Sequence, residues 1–290
     1  MKARTAPAVS VLRIGARNAA FQHWETLLRN RTKRHRSGEF LVHGVRPISA
    51  AHRLWSIATL IRPDRGARSE WAAALWADTD CRHVEMPAEM VAELADRDPE
   101  RPEDAPELVA VVAIPADDLD RLEAADRTPL VTVFDRPGQP GNIGTLMRSI
   151  DAFGGTGLII SGHGADPYDP RTVRASTGSL FSVPTVRVPS PGEVLSWVER
   201  LRSTGTAMVV LGTDEGGRSD LSRVDLTGPT MLVIGNETRG LSRAWRDVCD
   251  GIISIPMVGT ASSLNAATAG SIVLHEALRQ RTAKPLSGRT

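Results

Sequence analysis

Short apolar runs alternate with amphipathic stretches over the second half of this chain, and that alternation constrains the fold more than any other feature. Apolar runs with little polar alternation, typical of strands buried on both faces, cover residues 130–134, 158–161, 183–186, 207–211, 231–234 and 252–255. Apolar residues on one helical face occur over residues 142–153, 192–202 and 266–280. Strands that alternate with helices predict a mostly parallel sheet covered by helices, which is the α/β class.

The first half is less regular and predicts a smaller α/β domain over residues 1–115. Its patterns predict helices at residues 19–28, 70–76 and 87–94 and strands at residues 40–42 and 108–114. Residues 29–38 are predicted to form a basic loop, and residues 53–61 alternate too weakly to assign. An Asp-rich stretch at residues 116–128 is interpreted as a linker, so the second domain covers residues 129–283.

Charge is distributed unevenly along a chain whose net charge is only +1. Residues 1–54 contain eleven Lys or Arg, among them Lys2 and Arg4, against two acids, Glu25 and Glu39. Clustered cations bind polyanions because they release the counterions of phosphates, so this segment indicates a polyanion partner. The alternative is that the segment is only a solubilising tail.

What the sequence lacks excludes several classes of protein. No apolar run reaches the roughly 18 residues of a membrane span, and the N-terminus has no apolar signal-peptide core, so a soluble cytoplasmic protein is expected. Cys81 and Cys249 lie far apart, and no His, Cys or carboxylate cluster has metal-site spacing. A P-loop is absent, and the glycine-rich stretches 154–157 and 212–217 lack the strand–turn–helix context of a dinucleotide site.

Three turns follow predicted strands and could together form one pocket. The first turn is residues 140–144, the second is residues 234–242, and the third is residues 262–265. Parallel sheets bind ligands outside the carboxyl ends of their strands, where all three turns fall. Each turn taken alone is weak evidence, because a glycine after a strand usually marks only a turn. Glycines that could bring bare main chain against a ligand are Gly141, Gly144, Gly235, Gly240 and Gly259.

Two charged residues in these turns are candidates for a functional role. Arg148 lies more than about 90° from the apolar stripe of its helix, so it faces solvent, substrate or a second subunit. Asn142 is predicted to be the N-cap of that helix. Glu237 lies in a loop between glycines and could pair with a cation or hold the turn. For Arg148 and Glu237 the simpler alternative is an ordinary surface charge.

The three turns resemble the signature motifs of the SpoU family, the S-adenosylmethionine-dependent RNA ribose 2′-O-methyltransferases of the SPOUT superfamily. The resemblance covers residues 129–281: Asn142 and Arg148 match the first motif, residues 235–242 the second, and residues 255–257 with 262–265 the third. Residues 40–46 resemble part of the family's RNA-binding domain, with His43 where many relatives have Glu. Residues 39–49 and 176–191 resemble those members that methylate a 23S rRNA uridine and confer antibiotic resistance.

The resemblance implies a trefoil knot in the second domain, a homodimer, S-adenosylmethionine as cofactor, RNA as partner, and neither a metal nor a membrane. It implies that the cofactor pocket is walled by Leu211, Gly212, Thr213, Gly235, Ile255, Met257 and Leu264. It also implies catalytic roles for Asn142, Arg148, Glu237, Ser263 and Asn265. The residues predicted to contact RNA phosphates are Arg29, Arg31, Lys33, Arg34, Arg36 and Arg46.

The role of Arg148 and the identity of the substrate stay open at this stage. The family assigns Arg148 as the base, yet a guanidinium with a pKa above about 12 does not lose its proton under ordinary conditions, which favours stabilisation of the developing alkoxide. A tRNA 2′-O-methyltransferase of the same family and a non-catalytic RNA-binding ribosome-assembly protein are the alternatives. An oxidoreductase would need the dinucleotide turn that is missing.

Overall fold

The computed structural model of the protein describes residues 10–123 and 127–283. The chain divides into two compact units, one comprising the residues up to Pro115 together with Tyr168–Val173, the other Ala116–Pro167 and the residues from Arg174 onward. The basic residues Lys2 and Arg4 and part of the predicted linker, residues 124–126, lie outside the described residues. Within the described part of the chain, no helix has the length and apolar character needed to span a membrane.

The first unit contains a five-stranded mixed sheet and α-helices. The elements are β1 (Val11–Arg13), α1 (Ala19–Arg29), α2 (Arg31–Ser37), β2 (Glu39–His43), α3 (Val45–Leu54), β3 (Ile57–Pro63), α4 (Glu70–Asp78), β4 (Arg82–Met86), α5 (Ala88–Leu94) and β5 (Val109–Ala113). The strand order in the sheet is β1-β4-β3-β5-β2. Strand β5 pairs antiparallel with β2 and β3, and the other pairings are parallel.

The prediction of a basic loop at residues 29–38 is wrong, because the segment folds as helix α2. Asn30 caps this helix by accepting a hydrogen bond from the N–H of Lys33 over 3.0 Å, and Gly38 ends it in the left-handed region with φ 68°. The segment carries no apolar stripe, so periodicity could not reveal it. The apolar pattern did not predict strand β4 either, because its polar residues His83 and Glu85 are buried.

The second unit contains a seven-stranded sheet in which every pairing is parallel, as predicted. The elements of this part of the chain are β6 (Leu130–Asp135), α6 (Pro140–Ala152), β7 (Gly157–Ser161), α7 (Pro170–Ser176), α8 (Ser179–Ser182), β8 (Thr185–Val188), α9 (Pro191–Ser203), β9 (Val209–Thr213), β10 (Ser219–Asp220), β11 (Thr230–Ile234), α10 (Arg243–Arg246), β12 (Gly251–Ser254) and α11 (Ala266–Thr282). Residues 170–173 of α7 belong to the first unit. The strand order in the sheet is β10-β12-β9-β11-β6-β7-β8.

Helix α6 begins two residues earlier than predicted. Pro140 occupies the first turn after the cap residue Gln139, a position where its missing N–H costs nothing, so Asn142 lies inside the first turn and is not the N-cap. The helix ends before Phe153, and Gly154 follows with φ 75°. Helix α11 packs closely on α6, because a methyl group at Gly270 would lie only 2.6 Å from Leu146 Cδ1.

The strand register brings the carboxyl ends of four strands together. Thr213 of β9 pairs with Ile234 of β11 on one side and with Ile253 of β12 on the other. On the far side of β11, Ile234 pairs with Phe134 of β6. The chain segments that follow β6, β9, β11 and β12 therefore leave the sheet at one edge.

Candidate active site

A cavity of about 340 Å³ lies at the carboxyl ends of β9, β11 and β12. The second and third turns form much of its wall, together with the start of α11. The residues that line it are Thr213, Asp214, Glu215, Ile234, Gly235, Asn236, Glu237, Thr238, Arg239, Gly240, Ile253, Ile255, Met257, Ser262, Ser263, Leu264, Ala266 and Ala269. The volume falls within the roughly 300–1,000 Å³ of small-molecule sites.

The cavity wall contains most of the residues predicted for the cofactor pocket. Those that line it are Thr213, Gly235, Ile255, Met257 and Leu264. Leu211 and Gly212 do not line it, because β9 continues to Thr213 and both lie buried within the strand. A methyl group at Gly212 would meet Leu241, Ile252 and Cys249, so its close packing is against the protein's own core. Of the turn glycines, Gly141, Gly144 and Gly259 are likewise absent from the wall.

The second turn is folded tightly on itself. Asn236 and Gly240 exchange both backbone hydrogen bonds, at 3.0 and 2.9 Å, and the side chain of Asn236 accepts the N–H of Thr238 and of Arg239. A methyl group at Gly235 would lie 2.4 Å from the backbone carbon of Gly240. Only glycine fits at position 235, because backbone atoms cannot move aside as a flexible side chain can.

Asp135 and Arg136 hold the second turn to the end of β6. The Asp135 carboxylate, 2% exposed, accepts the N–H of Ser242 over 2.8 Å and two hydrogen bonds from the guanidinium of Arg136. Asn236 Nδ2 donates to the carbonyl of Arg136 over 2.6 Å. Neither residue was predicted from the sequence, although a charged pair at the end of an apolar strand is a signal that could reveal them.

Hydrogen bonds join one residue from each of the three turns. Asn142 Nδ2 donates to Glu237 Oε1 over 2.9 Å, and Asn265 Nδ2 donates to Asn142 Oδ1 over 3.1 Å. Glu237 also accepts the backbone N–H of Gly138 over 2.8 Å and of Gln139 over 3.1 Å. The structure therefore brings together three of the five predicted catalytic residues at the edge of the cavity that Glu237 lines.

These hydrogen bonds set the charge state of Glu237. Partial burial alone would raise the pKa of its carboxyl, but the Asn142 amide and the backbone N–H groups of Gly138 and Gln139 outweigh burial, so the pKa lies below the ordinary value of 4.5. Glu237 is ionised at neutral pH. A carboxylate with a lowered pKa is a weak base, so its geometry suits holding the turns together better than accepting a proton.

Ser263 lines the cavity, whereas Arg148 lies apart from it. Arg148 is exposed on α6, about 9 Å along the helix axis from Asn142, and borders an open depression of about 580 Å³ with Thr145, Asp151 and Ser179. Within residues 10–123 and 127–283 its guanidinium has no hydrogen-bond or ion-pair partner, so it is free to meet an anion.

The residues predicted to contact RNA phosphates differ in burial. Arg34 is only 2% exposed, and its Nη1 donates to the carbonyls of Leu27 and Leu28 over 2.7 and 3.2 Å, so its prediction as an RNA contact is wrong. The guanidinium instead fastens the end of α1 to α2. The side chains that are exposed are Arg29, Arg31, Lys33, Arg36 and Arg46. In the described residues, no group of three or more His, Cys, Asp or Glu side chains could hold a metal ion.

Comparison with known protein families matches both halves of the chain. Residues 129–275 match the SpoU rRNA Methylase family, and residues 18–110 match the SpoU L30e-like domain. The first match contains the three turns and the cavity.

Individual relatives match over nearly the whole chain. A 23S rRNA (uridine(2479)-2'-O)-methyltransferase of Streptomyces viridochromogenes is 53% identical over 96% of this chain and 94% of its own length. The crystal structure of the SpoU methyltransferase AviRb from that organism, in complex with the cofactor AdoMet, covers 94% of this chain and 100% of its own at 54% identity and a TM-score of 0.86. An AdoMet-bound rRNA methyltransferase from Sinorhizobium meliloti covers 94% of this chain and 99% of its own at 26% identity and a TM-score of 0.79.

Proposed function

This chain belongs to the SpoU rRNA methylase family, and from that premise we propose that it transfers a methyl group from AdoMet (S-adenosylmethionine) to the 2′-hydroxyl of a uridine in 23S rRNA. The observation that carries the proposal is the linkage of Glu237, Asn142 and Asn265 at the edge of the cavity, in a chain 53% identical over 96% of its length to an enzyme of this activity.

The cavity fits AdoMet by its chemistry. Ile255, Met257 and Leu264 supply apolar surface for an adenine ring, and Gly235 adds main chain without a side chain to the wall. When bound, AdoMet supplies a methyl group on a sulfonium, which an oxygen nucleophile can displace in line. The protein's own task is then to orient the ribose hydroxyl and to manage its proton.

We assign these tasks to the residues of the turns. Arg148 stabilises the negative charge that develops on the 2′-oxygen and clamps a neighbouring RNA phosphate, because a guanidinium stays protonated. The proton that the 2′-hydroxyl loses passes to that phosphate or to water. Glu237 and Asn265 hold Asn142, and thereby fix the first turn against the second and third. Ser263 adds a hydroxyl to the cavity wall.

Arg148 lies outside the cavity, and a homodimer would account for this position. A second copy whose helix α6 approaches the cavity would supply the guanidinium from the other subunit. The exposed cations of α2 and its surroundings would bind RNA phosphates, and the last segment of the chain would pass through a loop to form the trefoil knot. An enzyme that acts on ribosomal RNA in this way works in the cytoplasm.

The test is to incubate the purified protein with AdoMet and a 23S rRNA transcript and to map the product by primer extension and mass spectrometry. The expected result is one additional methyl group on the ribose of one uridine. A product formed only with tRNA would establish the alternative within the same family. No product on rRNA, tRNA or assembled subunits, with AdoMet bound, would establish a non-catalytic RNA-binding protein.

Protection against a ribosome-targeting antibiotic is a further part of the proposal. A methyl group on a drug-contacting ribose removes a hydrogen-bond donor and adds bulk. Expression of the protein in a susceptible bacterium should therefore raise the inhibitory concentration of such a drug, whereas an Arg148→Ala variant should not raise it.

A further inference from the structure

Four charged side chains line the cavity, and two of them have no protein partner. Asp214 pairs with Arg246, whose Nη2 lies 2.6 Å from Asp214 Oδ2, and Glu237 accepts the hydrogen bonds described above. Arg239 and Glu215 have neither an ion pair nor a side-chain hydrogen bond within the described part of the chain. The wall therefore offers one unpaired charge of each sign.

Arg239 lies in the second turn, and Glu215 lies in the segment that follows β9. The backbone N–H of Arg239 donates to Asn236 Oδ1 over 3.0 Å, which fixes its place in the second turn. The neighbouring Gly240 packs against the segment after β9, since a methyl group there would lie 3.6 Å from Asp214 Oδ2. Because Gly240 follows Arg239 and Asp214 precedes Glu215, the two chain segments that carry the unpaired charges meet at the wall of one cavity.

We propose that Arg239 and Glu215 bind the amino-acid end of AdoMet, Arg239 through the carboxylate and Glu215 through the ammonium group. This inference rests on the proposed function and deepens it. Charge-assisted hydrogen bonds suit both groups, and a guanidinium can hold a carboxylate with two parallel bonds. The apolar residues Ile255, Met257 and Leu264 follow β12, beyond β9, and leave that part of the wall for the adenosine.

An RNA phosphate is the other anion that Arg239 could bind. The neighbouring carboxylate of Glu215 argues against it, because a negative charge at the same rim repels a polyanion and attracts the ammonium group of a zwitterion. A zwitterionic ligand uses both charges, whereas a phosphate uses one and is opposed by the other.

Two adenosine ligands test the inference by titration calorimetry. S-adenosylhomocysteine carries the amino-acid end, and 5′-methylthioadenosine has the same adenosine without it. Arg239→Ala should weaken S-adenosylhomocysteine about tenfold and leave 5′-methylthioadenosine unchanged. Glu215→Gln should weaken S-adenosylhomocysteine by a smaller factor. The matched control is Arg243→Ala, which removes an exposed arginine that pairs with Asp247 and does not line the cavity.

Each other outcome has a definite meaning. Unchanged S-adenosylhomocysteine affinity in Arg239→Ala overturns the inference, and a loss confined to RNA affinity assigns Arg239 to a phosphate. Equal weakening of both ligands overturns it as well, because it shows that Arg239 acts through the shape of the turn. If the wild-type protein binds neither ligand, the proposed function itself fails.

Discussion

Asn265 donates a hydrogen bond from its Nδ2 to Asn142 Oδ1 over 3.1 Å, although 123 residues separate the two in the sequence. The Oδ1 of Asn265 meanwhile accepts the N–H of Ala267 over 2.9 Å and so caps helix α11. The side-chain amide of Asn265 thus fixes both the start of α11 and the first turn of α6. Asn142 in turn donates a hydrogen bond to Glu237, so the positions of the three side chains are linked.

Replacement of Asn142 should loosen all three turns together. Asn142→Ala removes one donor to Glu237 and the acceptor of Asn265, so we expect about 1–2 kcal/mol less stability and roughly tenfold weaker AdoMet binding. Urea unfolding and calorimetry measure the two effects. Ser149→Ala is the control, because it removes a hydrogen bond between α6 and α11 away from the cavity wall, and AdoMet affinity should be unchanged. Equal AdoMet affinity in both variants would contradict the prediction.

Glu237 should stabilise the fold in a pH-dependent way. Its pKa is lower in the folded protein than the ordinary 4.5, so its stabilising contribution is fully present above about pH 4.5 and is lost as the pH falls through the folded value. We expect Glu237→Gln to be less stable than the wild type by a constant amount from pH 5 to 7, and the difference to shrink below about pH 4.5. Urea titrations at several pH values measure it, and a difference that grows in acid would refute the assignment.

Gly235 and Gly141 form a matched pair of glycines. Gly235→Ala should abolish AdoMet binding, because its methyl group would lie 2.4 Å from backbone atoms of the second turn. Gly141→Ala has nothing within 4 Å of the added group and sits in a helix, so it should keep AdoMet affinity and stabilise the protein by up to about 1 kcal/mol. Calorimetry and thermal unfolding of both variants give the answer.

Arg148→Ala should lower methyl transfer at least about 100-fold while AdoMet affinity stays at the wild-type value. Arg148→Lys keeps the charge without the planar fork and should recover part of the rate. A tritium-transfer assay beside calorimetry separates the two quantities. Transfer at a tenth of the wild-type rate in the alanine variant would exclude Arg148 as either base or stabiliser.

The basic residues of helix α2 should separate into RNA contacts and a structural residue. The double change Lys33→Ala and Arg36→Ala should weaken RNA binding and reduce the salt dependence of log K by about one to two units, without an effect on AdoMet. Arg34→Ala should instead cost about 2 kcal/mol of stability, because two backbone carbonyls lose a buried charged donor. Filter binding across salt concentrations measures RNA affinity, and urea unfolding measures stability. RNA affinity that is unaltered by the double change would refute the phosphate role.

Sequence patterns predicted those parts of the fold in which apolar burial decides the structure. Strands β6, β9 and β11 consist mainly of apolar residues, and their parallel orientation was predicted from alternation with helices. Helix α2 was not predicted, because its caps Asn30 and Gly38 stabilise it rather than an apolar stripe. Strands β1, β3 and β4 of the first unit were not predicted either. All of β1 is exposed, and polar residues are buried in the other two strands, Thr59 in β3 and His83 and Glu85 in β4.

Most residues of the cavity wall named in advance could be predicted from the sequence, but the hydrogen bonds that hold the turns together could not. Residues such as Ile255 and Leu264 could be assigned to the cavity wall through the family resemblance. Leu211 and Gly212 do not line the cavity, because β9 continues to Thr213, so their contact with the cofactor stays a prediction. The hydrogen bonds that Ser242 donates to Asp135 and that Gly138 donates to Glu237 each span about a hundred residues, and no short sequence window contains both partners.

These long spans have a consequence for the order of refolding. Residues 135 and 242 can meet only after most of the intervening sheet has formed, because closing so large a loop costs entropy that earlier contacts must repay. Helical content should therefore recover first after dilution from denaturant, and the capacity to retain the nucleoside ligand should return in a later, slower phase.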